Sequence, residues 1–203
     1  MTKIKLCGMM SPKDVITARD LGADYVGFIL TEGFSRSVGL GTFCELQSYL
    51  TGSETKKVGV FVDEPIDGIV KFYAEMLDFI QLHGSEDEDY IHRLRMHTDK
   101  PIIKAFTVKS EEDIEAAKHS SAEYILLDSG TGTGETFDHS LIRDIGRPFF
   151  LAGGLTAQNV AEAIEACSPF AVDASSSLET EGRKDKNKMT AFVKAVRGKE
   201  GKQ

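Results

Sequence analysis

A chain of 203 residues, 41% hydrophobic and 28% charged, has the composition of an ordinary globule and enough length for one sizeable core. Its formal net charge is −8, with no basic block before the extreme C-terminus, which disfavours nucleic acid and acidic membrane surfaces as partners. An anionic substrate would therefore have to be held by local groups and not by the overall field.

The opening stretch from Met1 to Gly8 has no apolar signal core, and no apolar run approaches ~18 residues, so a reducing cytoplasm is the expected compartment. The 3 cysteines, Cys7, Cys44 and Cys167, are odd in number and lack metal-site spacing. Neither a disulfide framework nor a zinc site is expected.

Eight short apolar segments recur, each followed by helical spacing. The first spans 4–7, with a helix that Ser11 and Pro12 cap and start, running to Leu21. The second spans 25–30 with a helix from about 42 to 50, and the third 57–62 with a helix entered at Pro65. The fourth covers 79–83, followed by a helix from Glu86 to about Met96; the fifth covers 101–106, followed by a helix opened by Ser110, Glu111 and Glu112. The sixth is Tyr124–Asp128, then a glycine-rich loop and a short helix near Ser140; 149–152 and 171–174 are the seventh and eighth.

These strands are near-continuous apolar runs, which predicts burial on both faces in a parallel sheet. The repeat of roughly 20–27 residues is close to the minimum for a βα unit. The expected fold is α/β, a single (βα)8 TIM barrel with minimal loops, one domain over 1–203 with a frayed tail from about 197. An open doubly wound sheet would carry Gly-x-Gly-x-x-Gly after its first strand, where this chain has Cys7-Gly8-Met9-Met10.

In such a barrel the C-terminal strand ends share one pocket. They would bring together Cys7, the loop holding Arg36, His83, Asp128, Gly153 with Gly154, and Asp173 with Ser175 and Ser176. The last two strands break abruptly into glycine or serine before a helical segment. That leaves backbone N–H groups pointing outward with a positive helix dipole behind them, a cradle for phosphate. Asp128 follows Tyr-Ile-Leu-Leu, where a carboxylate is too costly to bury without a partner or a function. Capping the glycine loop from Gly130 to Gly134 is the competing reading, and that loop fits a lid or a simple turn. Cys7 ends a strand before a glycine, where exposure to the pocket is expected. Cys44 and Cys167 fall in helical segments and read as small buried hydrophobes, the competing reading for Cys7. From the residues alone His83 fits a satisfied core histidine as well as a pocket group. Arg36 reads as a solvated loop charge, Asp138 as a helix cap, and Lys104 as a further pocket candidate.

A family likeness rests on Lys5-Leu6-Cys7-Gly8, on 22–28 (Gly-Ala-Asp-Tyr-Val-Gly-Phe), on 58–62 (Val-Gly-Val-Phe-Val) and on Gln81-Leu82-His83-Gly84. It continues through Leu126-Leu127-Asp128, Gly132-Thr133-Gly134 with Phe137-Asp138, 151–155 (Leu-Ala-Gly-Gly-Leu), 172–176 (Val-Asp-Ala-Ser-Ser) and Gly182-Arg183-Lys184-Asp185. In order and spacing the chain resembles the phosphoribosylanthranilate isomerases of tryptophan biosynthesis over essentially its whole length. The resemblance implies an Amadori rearrangement of N-(5-phosphoribosyl)anthranilate. It places the general acid on Asp128, the general base on Cys7, and the contact to the anthranilate carboxylate on Arg36. His83 and Asp173 would bind substrate, and Gly153, Gly154, Ser175 and Ser176 its phosphate.

The acid should then have its pKa raised by burial, and the base its pKa lowered or matched by nearby positive charge. No metal or organic cofactor is expected, the partner is a small phosphosugar-anthranilate substrate, and monomer and homodimer both fit. The chain departs from the family at Phe34-Ser35-Arg36, where Ser-Pro-Arg is usual, at His139 for a tryptophan, and at Ser177 for a glycine. A positive φ at Ser177 would strain the phosphate turn. The competing functions are another phosphosugar barrel, such as a pentose-phosphate epimerase or an indole-glycerol-phosphate synthase, and a phosphosugar-binding relic without turnover.

Overall fold

The computed structural model describes residues 1–128, 142 and 145–198. The expectations for Gly130 to Gly134, Phe137, Asp138, His139 and the helix near Ser140 lie outside these residues. Eight parallel strands close into a barrel in sequence order: β1 (Lys3–Cys7), β2 (Tyr25–Ile29), β3 (Lys56–Phe61), β4 (Phe79–Leu82), β5 (Ile102–Thr107), β6 (Tyr124–Asp128), β7 (Phe149–Leu151) and β8 (Ala171–Ala174). Around it stand α1 (Pro12–Asp20), α2 (Leu40–Ser48), α3 (Ile66–Phe72), α4 (Glu88–Arg95), α5 (Glu111–His119), α6 (Val160–Cys167) and α7 (Lys186–Gly198). A two-stranded hairpin, β9 (Glu179–Thr180) and β10 (Arg183–Lys184), follows β8.

The two-sided burial expected of the strands divides by alternation. One set of positions, including Ile4, Leu6, Val26 and Phe28, packs outward against the helices. The other set fills the barrel, and its lower end is a separate cluster around Tyr25, Val58, Ile103, Leu126 and Phe150. Its aromatic rings meet edge to face, with Tyr25 5.3 Å from Phe79 and 5.4 Å from Phe150, and Tyr124 closing the circle at 5.8 and 5.9 Å from the same two. Each such pair is worth roughly 0.5–1.5 kcal/mol beyond the area it buries. This plug seals the N-terminal end, so the next interior positions along each strand form the floor of a pocket that opens only at the C-terminal end.

Local signals set most helix starts. Ser11 accepts a hydrogen bond from Asp14 N, and the Asp14 carboxylate accepts one from Ser11 N, a capping box ahead of Pro12. The helix expected from Glu86 begins at Glu88, with Asp87 as its cap. Glu86 is withheld from the helix because its carboxylate accepts from Asp63 N, Gly84 N and the Lys104 ammonium. Cys44 is exposed on α2, so it is not the buried hydrophobe expected; Cys167 ends α6 half-buried.

The expected fraying begins too early at Arg197. Its guanidinium donates to Thr2 O at 2.9 Å and to Asp24 Oδ2 at 2.8 Å, tying the last turn of α7 to the start of β1. Among the described residues no helix is long and apolar enough to cross a membrane.

Candidate active site

The C-terminal mouth of the barrel holds a cavity of about 830 Å³. Cys7, Asp128 and Asp173 face it from β1, β6 and β8, His83 from just past the end of β4, and Gly153, Gly154, Ser175 and Ser176 from the turns after β7 and β8. Ile29, Val60 and Val62, with Phe34 beyond them, form an apolar wall at the ends of β2 and β3. The structure therefore assembles around one space eight of the nine residues singled out from the sequence. Arg36 is the exception.

Cys7 is paired in register with Gly27 on β2, and a Cβ at position 27 would collide with the Cys7 sulfur. The thiol has its place because its neighbour has no side chain. Burial pushes the Cys7 thiol up, Lys5 pulls it back most, Asp173 adds to the rise and Lys184 opposes it. The net direction is upward, where a value lowered or matched by positive charge was expected of a base. Burial in the barrel outweighs the cations around it.

Across the cavity, His83 Nδ1 lies 2.8 Å from Gln81 Nε2, and His83 Nε2 lies 3.7 Å from Asp128 Oδ2. With the Gln81 amide nitrogen toward it, Nδ1 accepts and the ring proton sits on Nε2, facing Asp128. Burial pushes the His83 imidazole down despite the pull of Asp128, so the ring is neutral at neutral pH. His83 is a pocket group and not a core histidine.

Arg36 is not the solvated charge that its loop suggested. Its Nε and Nη2 donate to the two Glu179 oxygens at 2.6 and 2.8 Å, a bidentate pair that holds the guanidinium at the rim. The room beneath it comes from Gly8, at φ +76, where a Cβ would lie 2.8 Å from Arg36 Cδ. Lys184 on β10 donates to Glu179 Oε1 at 2.6 Å and to Ser175 O at 3.0 Å. The hairpin after β8 thus delivers an anion that the sequence reading passed over and a cation that it named only within a family motif.

Below them lies a buried pair it also missed, Lys5 Nζ to Asp173 Oδ2 at 2.7 Å. Lys104 is enclosed too, but beside a smaller chamber of about 220 Å³, where it donates to Gly84 O and Glu86.

The two turns after β7 and β8 have the form of an anion cradle. Gly153 and Gly154 adopt φ +86 and +63, and among the described residues none accepts a hydrogen bond from their N–H groups. Residues Ser176–Leu178 form one turn of 3-10 helix. Ser177 has no positive φ, so the strain expected there is absent. Its hydroxyl instead donates to Leu155 O at 2.5 Å and ties the two turns together.

Comparison with known proteins agrees with this arrangement. The sequence profile of N-(5'-phosphoribosyl)anthranilate (PRA) isomerase matches residues 4–195. The N-(5'-phosphoribosyl)anthranilate isomerase of Endomicrobium trichonymphae is 40% identical over 203 residues, 97% of this chain and 99% of the relative. The crystal structure of phosphoribosyl anthranilate isomerase from Thermotoga maritima superposes with a TM-score of 0.89 at 34% identity, covering 98% of this chain and all of that one. A second structure, TM-score 0.87 and 34% identical over 98% of this chain and 100% of the other, is an isomerase in complex with reduced 1-(o-carboxyphenylamino)-1-deoxyribulose 5-phosphate. With barrel, pocket and near full-length likeness in agreement, the chain belongs to the N-(5'-phosphoribosyl)anthranilate isomerase family.

Proposed function

We propose that this protein catalyses the Amadori rearrangement of N-(5'-phosphoribosyl)anthranilate to 1-(2-carboxyphenylamino)-1-deoxyribulose 5-phosphate, with Asp128 as acid and Cys7 as base. The observation that carries the assignment is a thiol and a carboxyl group facing one 830 Å³ cavity whose rim is an anion cradle. Asp128 gives its proton to the furanose ring oxygen as the C1–O bond breaks, while the anilino nitrogen lone pair forms the C1–N double bond. The Cys7 thiolate then takes the proton from C2. The electron pair of that C–H bond becomes the C1–C2 double bond, and the C1–N π electrons return to nitrogen. The resulting enolamine relaxes to the aminoketone.

The remaining walls fit the rest of the substrate. The apolar face of Ile29, Val60, Val62 and Phe34 suits the anthranilate ring, and Arg36 suits its carboxylate, with Nη1 left over from the pair with Glu179. The free Asp173 Oδ1, buried and without a hydrogen-bond partner among the described residues, suits a sugar hydroxyl.

The deciding experiment is a coupled assay with freshly made phosphoribosylanthranilate, following the loss of anthranilate fluorescence. Absence of turnover by folded protein would reject the assignment. Inorganic phosphate should inhibit competitively. Gly154→Val, which puts a branched side chain at φ +63 in the cradle, should raise KM about 10-fold or more, the scale of one lost charge-assisted hydrogen bond. An unaltered KM in that variant would count against the cradle.

A further inference from the structure

Lys5 has no exposed surface, yet it carries an ammonium in the middle of the barrel. Its ion partner there is Asp173, which is also its register partner across the seam between β1 and β8. A neutral apolar pair would fill such a site at no cost in stability, so the charge calls for another explanation. The geometry of β1 supplies one. Side chains two residues apart on a strand point the same way, so Lys5 lies on the face that carries Cys7, one layer deeper.

We propose that Lys5 is a positioning residue for the base: its ammonium, oriented by Asp173, is the fixed countercharge beneath the Cys7 thiolate. It rests on the reading of Cys7 as the base. The ammonium touches neither C2 nor the ring oxygen and transfers no proton. It makes the ionised form of Cys7 accessible inside an enclosure that otherwise penalises it.

The other charged groups around the thiol do not replace it. Asp173 on β8 opposes ionisation, while Lys184 on β10 and Arg36 above Gly8 are both tied to Glu179. His83 after β4 is neutral, and Asp128 stands at the end of β6 across the cavity. Of the cations, Lys5 exerts the largest pull on Cys7, and Cys7 in turn helps Asp173 to hold the ammonium charged, against the cost of its burial.

The test uses a Cys44→Ala/Cys167→Ala background, in which Cys7 is the single thiol. The rate of alkylation by iodoacetamide, a small neutral reagent, is measured against pH with and without Lys5→Met. The midpoint should rise by about one pH unit or more, the usual effect of an adjacent opposite charge. Alkylation below the midpoint then slows about 10-fold, and the acid limb of kcat/KM moves with it.

Where Lys5→Met alone does not fold, Asp173→Asn is compared with Lys5→Met/Asp173→Asn, which removes both charges together. The midpoint should fall in the first and rise again in the second. Superimposable alkylation profiles within either pair of folded proteins would overturn the countercharge. A midpoint that moves while the acid limb stays fixed would keep the countercharge and reject Cys7 as the base.

Discussion

Asp128→Asn should lower kcat at least ~10²-fold while KM stays close to normal, the usual share of a positioned acid. Asparagine has the same shape and keeps a polar face toward His83 Nε2, 3.7 Å away in the parent. It has no proton acidic enough to give to a departing ring oxygen. The cradle and the apolar wall are untouched by this change, so ground-state binding should survive. A small effect on KM beside a large one on kcat separates loss of chemistry from loss of fit. Steady-state fluorescence kinetics, with thermal melting to confirm the fold, make the comparison. Near-normal kcat would remove Asp128 from the reaction.

Cys7→Ala should be comparably severe, again at least ~10²-fold in kcat, because no other thiol faces the cavity among the described residues. The variant should also change the shape of the pH profile. Burial holds the Cys7 thiol above its ordinary value, so the working thiolate is the minor form near neutrality and its fraction grows as the pH rises. The parent enzyme should therefore gain kcat/KM with increasing pH, up to the Cys7 midpoint. In Cys7→Ala the residual rate should lose that dependence. A preserved acid limb in the variant would mean that another group sets it.

The barrel was legible because its strands are apolar on both faces and each is followed by helical spacing. Cys7 and Asp128 were legible for a related reason: each is a reactive group at the point where an apolar run stops. Lys5 sent a comparable signal, a charge between Ile4 and Leu6, but it sits in mid-strand, where no turn marks a pocket. Glu179 sent none, and Lys184 stood out only as part of a family motif. They lie on two-residue strands too short to show a period, and only closure of the barrel brings them over Gly8. Glu86 looked like the start of a helix because acidic residues favour a first turn; of its partners only Gly84 is near in sequence, while Asp63 follows β3 and Lys104 lies on β5. Ser177 was expected to be strained where a glycine is usual, and the chain has met that position with a short helical turn and a hydroxyl bond instead.

The seam between the first and last strands has a bearing on how the molecule is made. Lys5 on β1 and its carboxylate partner on β8 are separated by 168 positions of chain. Until β8 arrives, closing the cylinder would strand an ammonium in a dry interior, so a nascent chain is discouraged from shutting on itself prematurely. Arg197, reaching back to Thr2 and Asp24, fastens the join from outside. Assembly of the reactive pocket thus waits on the strand that closes the ring.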